Sequence, residues 1–412
     1  MWQGLAGILA LLLLAWLLSE NRRAIAWRTV VGGMVLEFAL AILLIRVPPA
    51  RQAMLQLNDA ASALQRATDA GTGFVFGYLG GDRLPFAETH PGAAFILAFK
   101  ALPMVLVISA LASLLFYWGV LQRITGLFAW LLRRTLGVGG ALALGAAVHV
   151  FVGMIEAPLL IRPWLARLER GELFALMSCG MAGIAGTVMV IYAAILGPVI
   201  PDALANILTA SLISTPAALA IAALMVPFGT REDHQPAELV LAHRPASALD
   251  AIVRGTADGI PVLVGIIAVL LVTVALVTLV NMILGLLPVS PALTLQGIFA
   301  WPFRPVMWVI GVPWSETAAA AALMATKTVV NEFAAYLDLA ALPPGALSPH
   351  ARLILTYALC GFANFGSLGI VIGGLGAMVP ERRSEIVALG FRSLLSGTLA
   401  TCTSGAVAGL LG

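Results

Sequence analysis

The stretch "HVFVGMIEAPLL", His149 to Leu160, decides how this chain is read. It sets an imidazole, His149, and a carboxylate, Glu156, in apolar sequence interrupted by Gly153 and Pro158. A charge at the centre of a bilayer costs roughly 2.5–3.5 kcal/mol on insertion scales. Non-helical backbone at membrane depth is tolerated only where it is buried in protein or lines a cavity. The stretch therefore reads as the tip of a re-entrant hairpin, with Glu156 facing a site.

The rest of the chain supplies the membrane. Of 412 residues, 61% are hydrophobic and 10% charged, and the mean hydropathy is +1.01. Soluble domains carry about 25% charged residues. Apolar runs at 3–19, 29–47, 93–120, 173–199, 203–227, 258–287, 351–378 and 385–411 approach or exceed the ~20 residues that span a bilayer, giving about eight spans. The first run lacks the basic leader and cleavage site of a signal peptide and reads as a membrane helix. Cys179, Cys360 and Cys402 lie in apolar segments without paired spacing, so neither a disulfide framework nor a metal site is expected.

Arginines orient the chain through the positive-inside rule. Arg22, Arg23 and Arg28, then Arg123, Arg133 and Arg134, then Arg162, Arg167 and Arg170, then Arg231, Arg244 and Arg254, and finally Arg382 and Arg383 all fall on one side if both termini are outside. The net charge of +3 is thus an orientation signal, and no basic-aromatic cluster points to nucleic acid. The segment "RQAMLQLNDAASALQRATDA" mixes charged and apolar residues at near-helical spacing. It reads as a helix, either lying on the membrane surface or solvated outside it.

Of two interrupted apolar regions, 137–161 begins and ends on the cytoplasmic side and 306–336 begins and ends on the outside. Paired broken segments of this kind point to a transporter built on an inverted repeat. The fold class is an all-α polytopic membrane protein with about eight transmembrane helices and two opposed re-entrant hairpins. Its expected divisions are N-terminal scaffold helices with the interfacial helix (1–136), a first repeat of hairpin plus two spans (137–227), a cytoplasmic loop and scaffold span (228–297) and a second repeat (298–412).

Glu156 and Glu332 occupy matching places in the two hairpins, each followed by a span rich in small residues, "SCGMAGIAGTVMVIYA" and "CGFANFGSLGIVIGGLGA". A site role is favoured for both, over structural pairing with Lys327. Asn331, Asn364 and Ser367 add polar groups that can either contact substrate or join helices. Glu37 and Lys100 are lone charges, read as snorkelling or as a scaffold pair.

At these residues the sequence resembles the concentrative nucleoside transporters. "GVPWSETAAAAALMATKTVVNEFAAYL", "TYALCGFANFGSLGIVIGGLGAMVPERR" and "VFVGMIEAPLLIRPWL" carry the resemblance, which extends over nearly the whole chain. It implies a homotrimer of cation-coupled nucleoside importers, with no enzymatic activity and no cofactor, expected in a bacterial inner membrane. It implies that Glu332 holds ribose hydroxyls with Asn364 and Ser367, beside the aromatic Phe362. It places Glu156, Val188 and the positions of Met154 and Ile155 on the nucleobase side.

Two departures stand out. Where sodium-coupled members read "GQTEAP", this chain reads "GMIEAP", so Met154 and Ile155 replace two polar side chains. Selectivity for one base is therefore expected to be weaker than sugar recognition. The family's sodium site takes an Asn at the position of His149, a Ser at the position of Gly183, and the carbonyls of Val152 and Ile184. Sodium is a hard cation that prefers oxygen, and this chain has lost two of those oxygens. Histidine titrates near neutrality, so proton coupling through His149, Glu156 or Glu332 is favoured over sodium. The alternatives are sodium at a modified site, or a non-transporting gate or receptor that kept the fold. An intramembrane enzyme is disfavoured: no HExxH pair or Gly-x-Ser-x-Gly turn is present.

Overall fold

The computed structural model describes residues 2–81, 83–87, 94–229, 245–288 and 293–412. Within them the chain is helical, with no strand. A bilayer imposes this, because a helix satisfies its own backbone polar groups where no water is available. The N-terminal part holds α1 (Trp2–Leu17), α2 (Trp27–Arg46), α3 (Pro48–Phe76), α4 (Leu97–Lys100), α5 (Met104–Tyr117) and α6 (Val120–Leu136). The α3 helix contains the mixed polar segment. It starts on prolines, which tolerate a helix's first turn, and stops at Gly77, whose φ is 60°.

Two units of the same order follow. The first is a helical hairpin of α7 (Gly140–His149) against α8 (Glu156–Leu160) and α9 (Arg162–Leu165), then a broken helix, α10 (Arg170–Ala182) and α11 (Gly186–Leu196), then the long α12 (Ala203–Met225). After α13 (Ala248–Leu284) and α14 (Leu295–Val309), the second unit repeats the pattern. Its hairpin is α15 (Thr317–Val329) with α16 (Glu332–Ala341), its broken helix is α17 (Pro349–Ala358) with α18 (Phe365–Met378), and its long helix is α19 (Arg383–Leu411).

Three sequence expectations change. The apolar runs 173–199 and 351–378 are each two helices, not one. The second hairpin spans Thr317–Ala341, later than 306–336, because residues up to Val309 belong to α14. Glu37 does not snorkel and has no cationic partner among the described residues: it is fully buried and accepts a hydrogen bond from Ser404 at 2.9 Å.

Among the described residues, five helical stretches are long and apolar enough to cross a membrane: Trp27–Arg46, Leu97–Tyr117, Ala203–Met225, Ala248–Leu284 and Pro380–Leu411. α12 and α19 are buried along most of their length and form the centre, whereas α13 is almost wholly exposed to its surroundings. Several of the predicted basic segments meet at one end of the molecule. Glu20 pairs with Arg170 at 2.9 Å and Arg392 at 3.2 Å, and Arg382 pairs with Glu385 at 2.8 Å. The Arg170 hydrogen bond, aided by the charges of both arginines, holds the Glu20 carboxyl below its ordinary range despite partial burial. Arg231 and Arg244 lie outside the described residues.

Candidate substrate and coupling site

The two helix breaks meet near the first hairpin's turn. Gly186, starting α11, donates its N–H to the Phe151 carbonyl at 3.2 Å, and Phe362 donates to the Gly183 carbonyl at 3.2 Å. Helix ends leave backbone groups without intrahelical partners. Here the break in the first repeat uses two of them to hold the hairpin turn and the break in the second repeat. Close approach requires glycine at two points. A β-carbon at Gly186 would lie 2.7 Å from the Phe151 oxygen, and one at Gly361 would lie 2.8 Å from the Ala182 oxygen.

Across these breaks the residues expected at the sugar converge. Asn364 precedes α18, and its Oδ1 caps that helix by accepting from the Ser367 N–H at 2.7 Å. The cap fixes which way the amide faces, so Nδ2 points outward and donates to Glu332 Oε2 at 3.0 Å. Glu332 sits in the first turn of α16, where a carboxylate is favoured by the helix dipole, behind the Asn331 cap that accepts from Ala334 N–H at 2.9 Å. Asn331 is therefore a helix cap. Glu332, Asn364 and Ser367 are all buried, and Phe362 is half-buried.

Tyr192 is a member of this cluster that sequence reasoning missed. Its hydroxyl donates to Glu332 Oε1 at 2.6 Å, and its ring packs on Phe333 and Tyr336 with centroids at 5.7 and 5.1 Å. No local pattern marks it, since it is one tyrosine in an apolar run, 140 residues from its partner. Lys327, by contrast, pairs with neither glutamate. Its ammonium donates to the Ala358 carbonyl at 2.8 Å and to Thr401 Oγ1 at 3.0 Å. Tyr192→Phe removes one hydrogen bond to a charged group, about 1.5 kcal/mol. The bond lies within the protein itself, so its loss is expected as a lower midpoint of thermal unfolding of the ligand-free protein, read by circular dichroism.

The residues expected to take part in coupling surround the first break. His149 ends α7 and is buried, and its Nε2 has no hydrogen-bond partner among the described residues. Its ring lies against Gly180, where a β-carbon would be 3.2 Å from Cε1. Val152 is half-buried on the hairpin turn, and Ile184 is fully buried in the break. At Gly183 there is space: a β-carbon would meet Cys179 O at 3.4 Å, and His149 O and Ser211 Oγ at 3.8 Å.

The residues expected on the base side take separate places. Met154 is buried, with Cβ 3.4 Å from the β-carbon position of Gly180. Ile155 packs its side chain onto Gly374 of α18. Glu156 is exposed and folds its carboxylate back over Gly153. Val188 is buried on α11. Among the described residues no cluster of His, Cys, Asp and Glu side chains could hold a metal ion.

Known proteins resemble this chain over nearly all of its length. A family model described as the C-terminus of Na+ dependent nucleoside transporters matches residues 206–409, the corresponding N-terminus model matches 6–79, and one described as nucleoside recognition matches 98–199. The "Uncharacterized transporter" of Haemophilus influenzae is 38% identical over 98% of this chain and 96% of its own. The nucleoside permease NupC of Helicobacter pylori is 33% identical, covering 98% of this chain and 96% of its own. Among solved structures, CNTnw in an inward-facing substrate-bound state is 36% identical with a TM-score of 0.89, covering 99% of this chain and 98% of that one. A doubly substituted CNTnw in an outward-facing state gives 0.90 at 36% identity, over 99% and 97% of the two chains. Similarity of this extent, in sequence and in fold alike, makes the protein a member of the concentrative nucleoside transporter family.

Proposed function

We propose that the protein imports nucleosides in symport with protons, from a site between the two hairpins. The observation that carries the substrate reading is the Glu332 carboxylate, buried and held by Tyr192 and Asn364. An ionised carboxylate has about four lone-pair sites. Tyr192 and Asn364 donate to one oxygen each, and the residue's own backbone N–H also faces the carboxylate, so ribose hydroxyls would take the lone-pair capacity that remains while both side-chain bonds are kept. Both helix breaks supply half-helix N-termini beside this point, as expected where a transporter binds its substrate. The base side is apolar at Met154 and Ile155, which favours tolerance of different bases.

The coupling reading rests on what surrounds Gly183. Sodium needs several oxygen ligands, and neither Gly183 nor the His149 imidazole supplies one from its side chain. The intramembrane groups near this end that can carry a proton are His149, Glu156 and Glu332. Sodium at a modified site is the second reading, favoured by the names of the matching family models. The functional unit is taken to be a homotrimer in a bacterial inner membrane with both termini outside. Exposed apolar side chains on α13 such as Val264, Leu271 and Leu279 are available to a neighbouring protomer.

Thermal stabilisation by a panel of ribonucleosides and free bases tests the substrate reading. Stabilisation by ribosides irrespective of base is expected. Stabilisation by free bases alone contradicts it.

A further inference from the structure

Glu37 is a buried carboxyl to which the sugar and coupling sites give no role. It lies near the middle of the 20-residue span Trp27–Arg46 and is fully buried. Ser404 of α19 donates to Oε1 at 2.9 Å, and Ser214 of α12 stands 3.1 Å behind Ser404. Oε2 is buried and has no hydrogen-bond partner among the described residues. Burying an ionised carboxylate without a counter-charge is costly, whereas a proton on Oε2 removes the charge.

Among the described residues no nearby cation substitutes for that proton. On α2 the neighbouring charges are Arg28 and Arg46, each about 13 Å away along the helix. α12 contains no charged residue. On α19, Arg383, Glu385 and Arg392 lie at the start of the helix, with Arg392 about 18 Å from Ser404, and Cys402 is the other titratable side chain. The charged residues of α3 and α6 (Arg51, Asp59, Arg66, Asp69, Arg123, Arg133 and Arg134) are exposed or half-buried, and none forms an ion pair with Glu37 among the described residues.

The position is also one where a proton can influence movement. α2 belongs to the N-terminal helices, while α12 and α19 close the two repeats, so Ser404 and Ser214 join Glu37 to both. One turn before Ser214, Ser211 Oγ is buried without a partner and lies 3.8 Å from the β-carbon position of Gly183. Pro216 in the same helix lacks an N–H, which leaves the Leu212 carbonyl without its helical donor. A line of polar groups thus runs from Glu37 towards the helix break that holds the coupling residues.

We infer that Glu37, held by Ser404 and backed by Ser214, is a proton-binding site of the transport cycle. The proton binds Oε2 from the outer solution and leaves to the inner one, and its presence changes how α2 engages α12 and α19. This rests on the proton-symport reading.

Glu37→Gln keeps the shape and removes the titratable group. In proteoliposomes of the full chain loaded with uridine, E37Q is expected to retain uridine exchange and to take up fewer protons per uridine, with weaker pH-driven accumulation. E37Q that takes up protons with uridine as the natural chain does overturns the assignment. Absence of proton movement in the natural chain overturns the symport reading and this inference together, and so is told apart from a failure confined to E37Q. Should E37Q not fold, Ser404→Ala serves instead. It is expected to shift the pH dependence of accumulation, and an unchanged profile overturns the inference.

Discussion

Glu332→Gln is expected to reduce nucleoside affinity by about 10²–10⁴-fold, the equivalent of two charge-assisted hydrogen bonds at about 1.5–3 kcal/mol each. The substitution is nearly isosteric, so the loss reports chemistry and not shape. The carboxylate accepts from two donors, the Tyr192 hydroxyl and Asn364 Nδ2. Glutamine offers one acceptor and turns an NH2 group towards a site already provided with donors. It also loses the charge that makes hydroxyl donation strong. Asn364 cannot rotate to compensate, because its Oδ1 is committed to the Ser367 N–H. Calorimetric titration of purified protein with uridine and adenosine measures the effect. Titration curves equal to those of the natural chain would remove Glu332 from the sugar site.

The paired substitution His149→Asn with Gly183→Ser is expected to make uptake sodium-dependent. The pair restores two side-chain oxygens at the positions where the resemblance implies sodium ligands. The fold has room: a β-carbon at Gly183 comes no closer than 3.4 Å to any neighbour, an ordinary van der Waals distance. Asparagine is smaller than histidine and removes the imidazole whose Nε2 has no partner. Each single change leaves one oxygen missing, so the effect is expected to be non-additive, as for residues that share one ligand. Sodium is expected to stimulate uptake on the order of ten-fold in the double variant, about 1.4 kcal/mol of coupling, and to leave the natural chain unaffected. A double variant indifferent to sodium would show that the cation chemistry is set elsewhere.

Much of the fold was legible in the sequence because a bilayer restricts the choices. Apolar runs, arginine asymmetry and two interrupted segments lead to helices, two repeats and two hairpins. Glu332, Asn364 and Ser367 were readable through motif resemblance, and the structure brings them within hydrogen-bond reach. What remained hidden is long-range. Glycine density marked 178–193 and 360–377 as weak helix, but only the approach of Phe362 to Gly183 and of Gly186 to Phe151 reveals where the breaks fall. Tyr192 has no local signal. Glu37 reads as a stray charge until Ser404, 367 residues later in the chain, is seen to hold it. Ile155 stands at a base-side position by resemblance, yet its side chain packs onto Gly374, a contact that depends on how the hairpin sits against α18.

The most direct measurement of the central claim is uptake of radiolabelled uridine into proteoliposomes under separately imposed proton and sodium gradients. An inward proton gradient is expected to drive accumulation that collapses with a protonophore, with sodium making no difference. Accumulation driven by sodium and insensitive to the protonophore, or none at all from correctly folded protein, would contradict it.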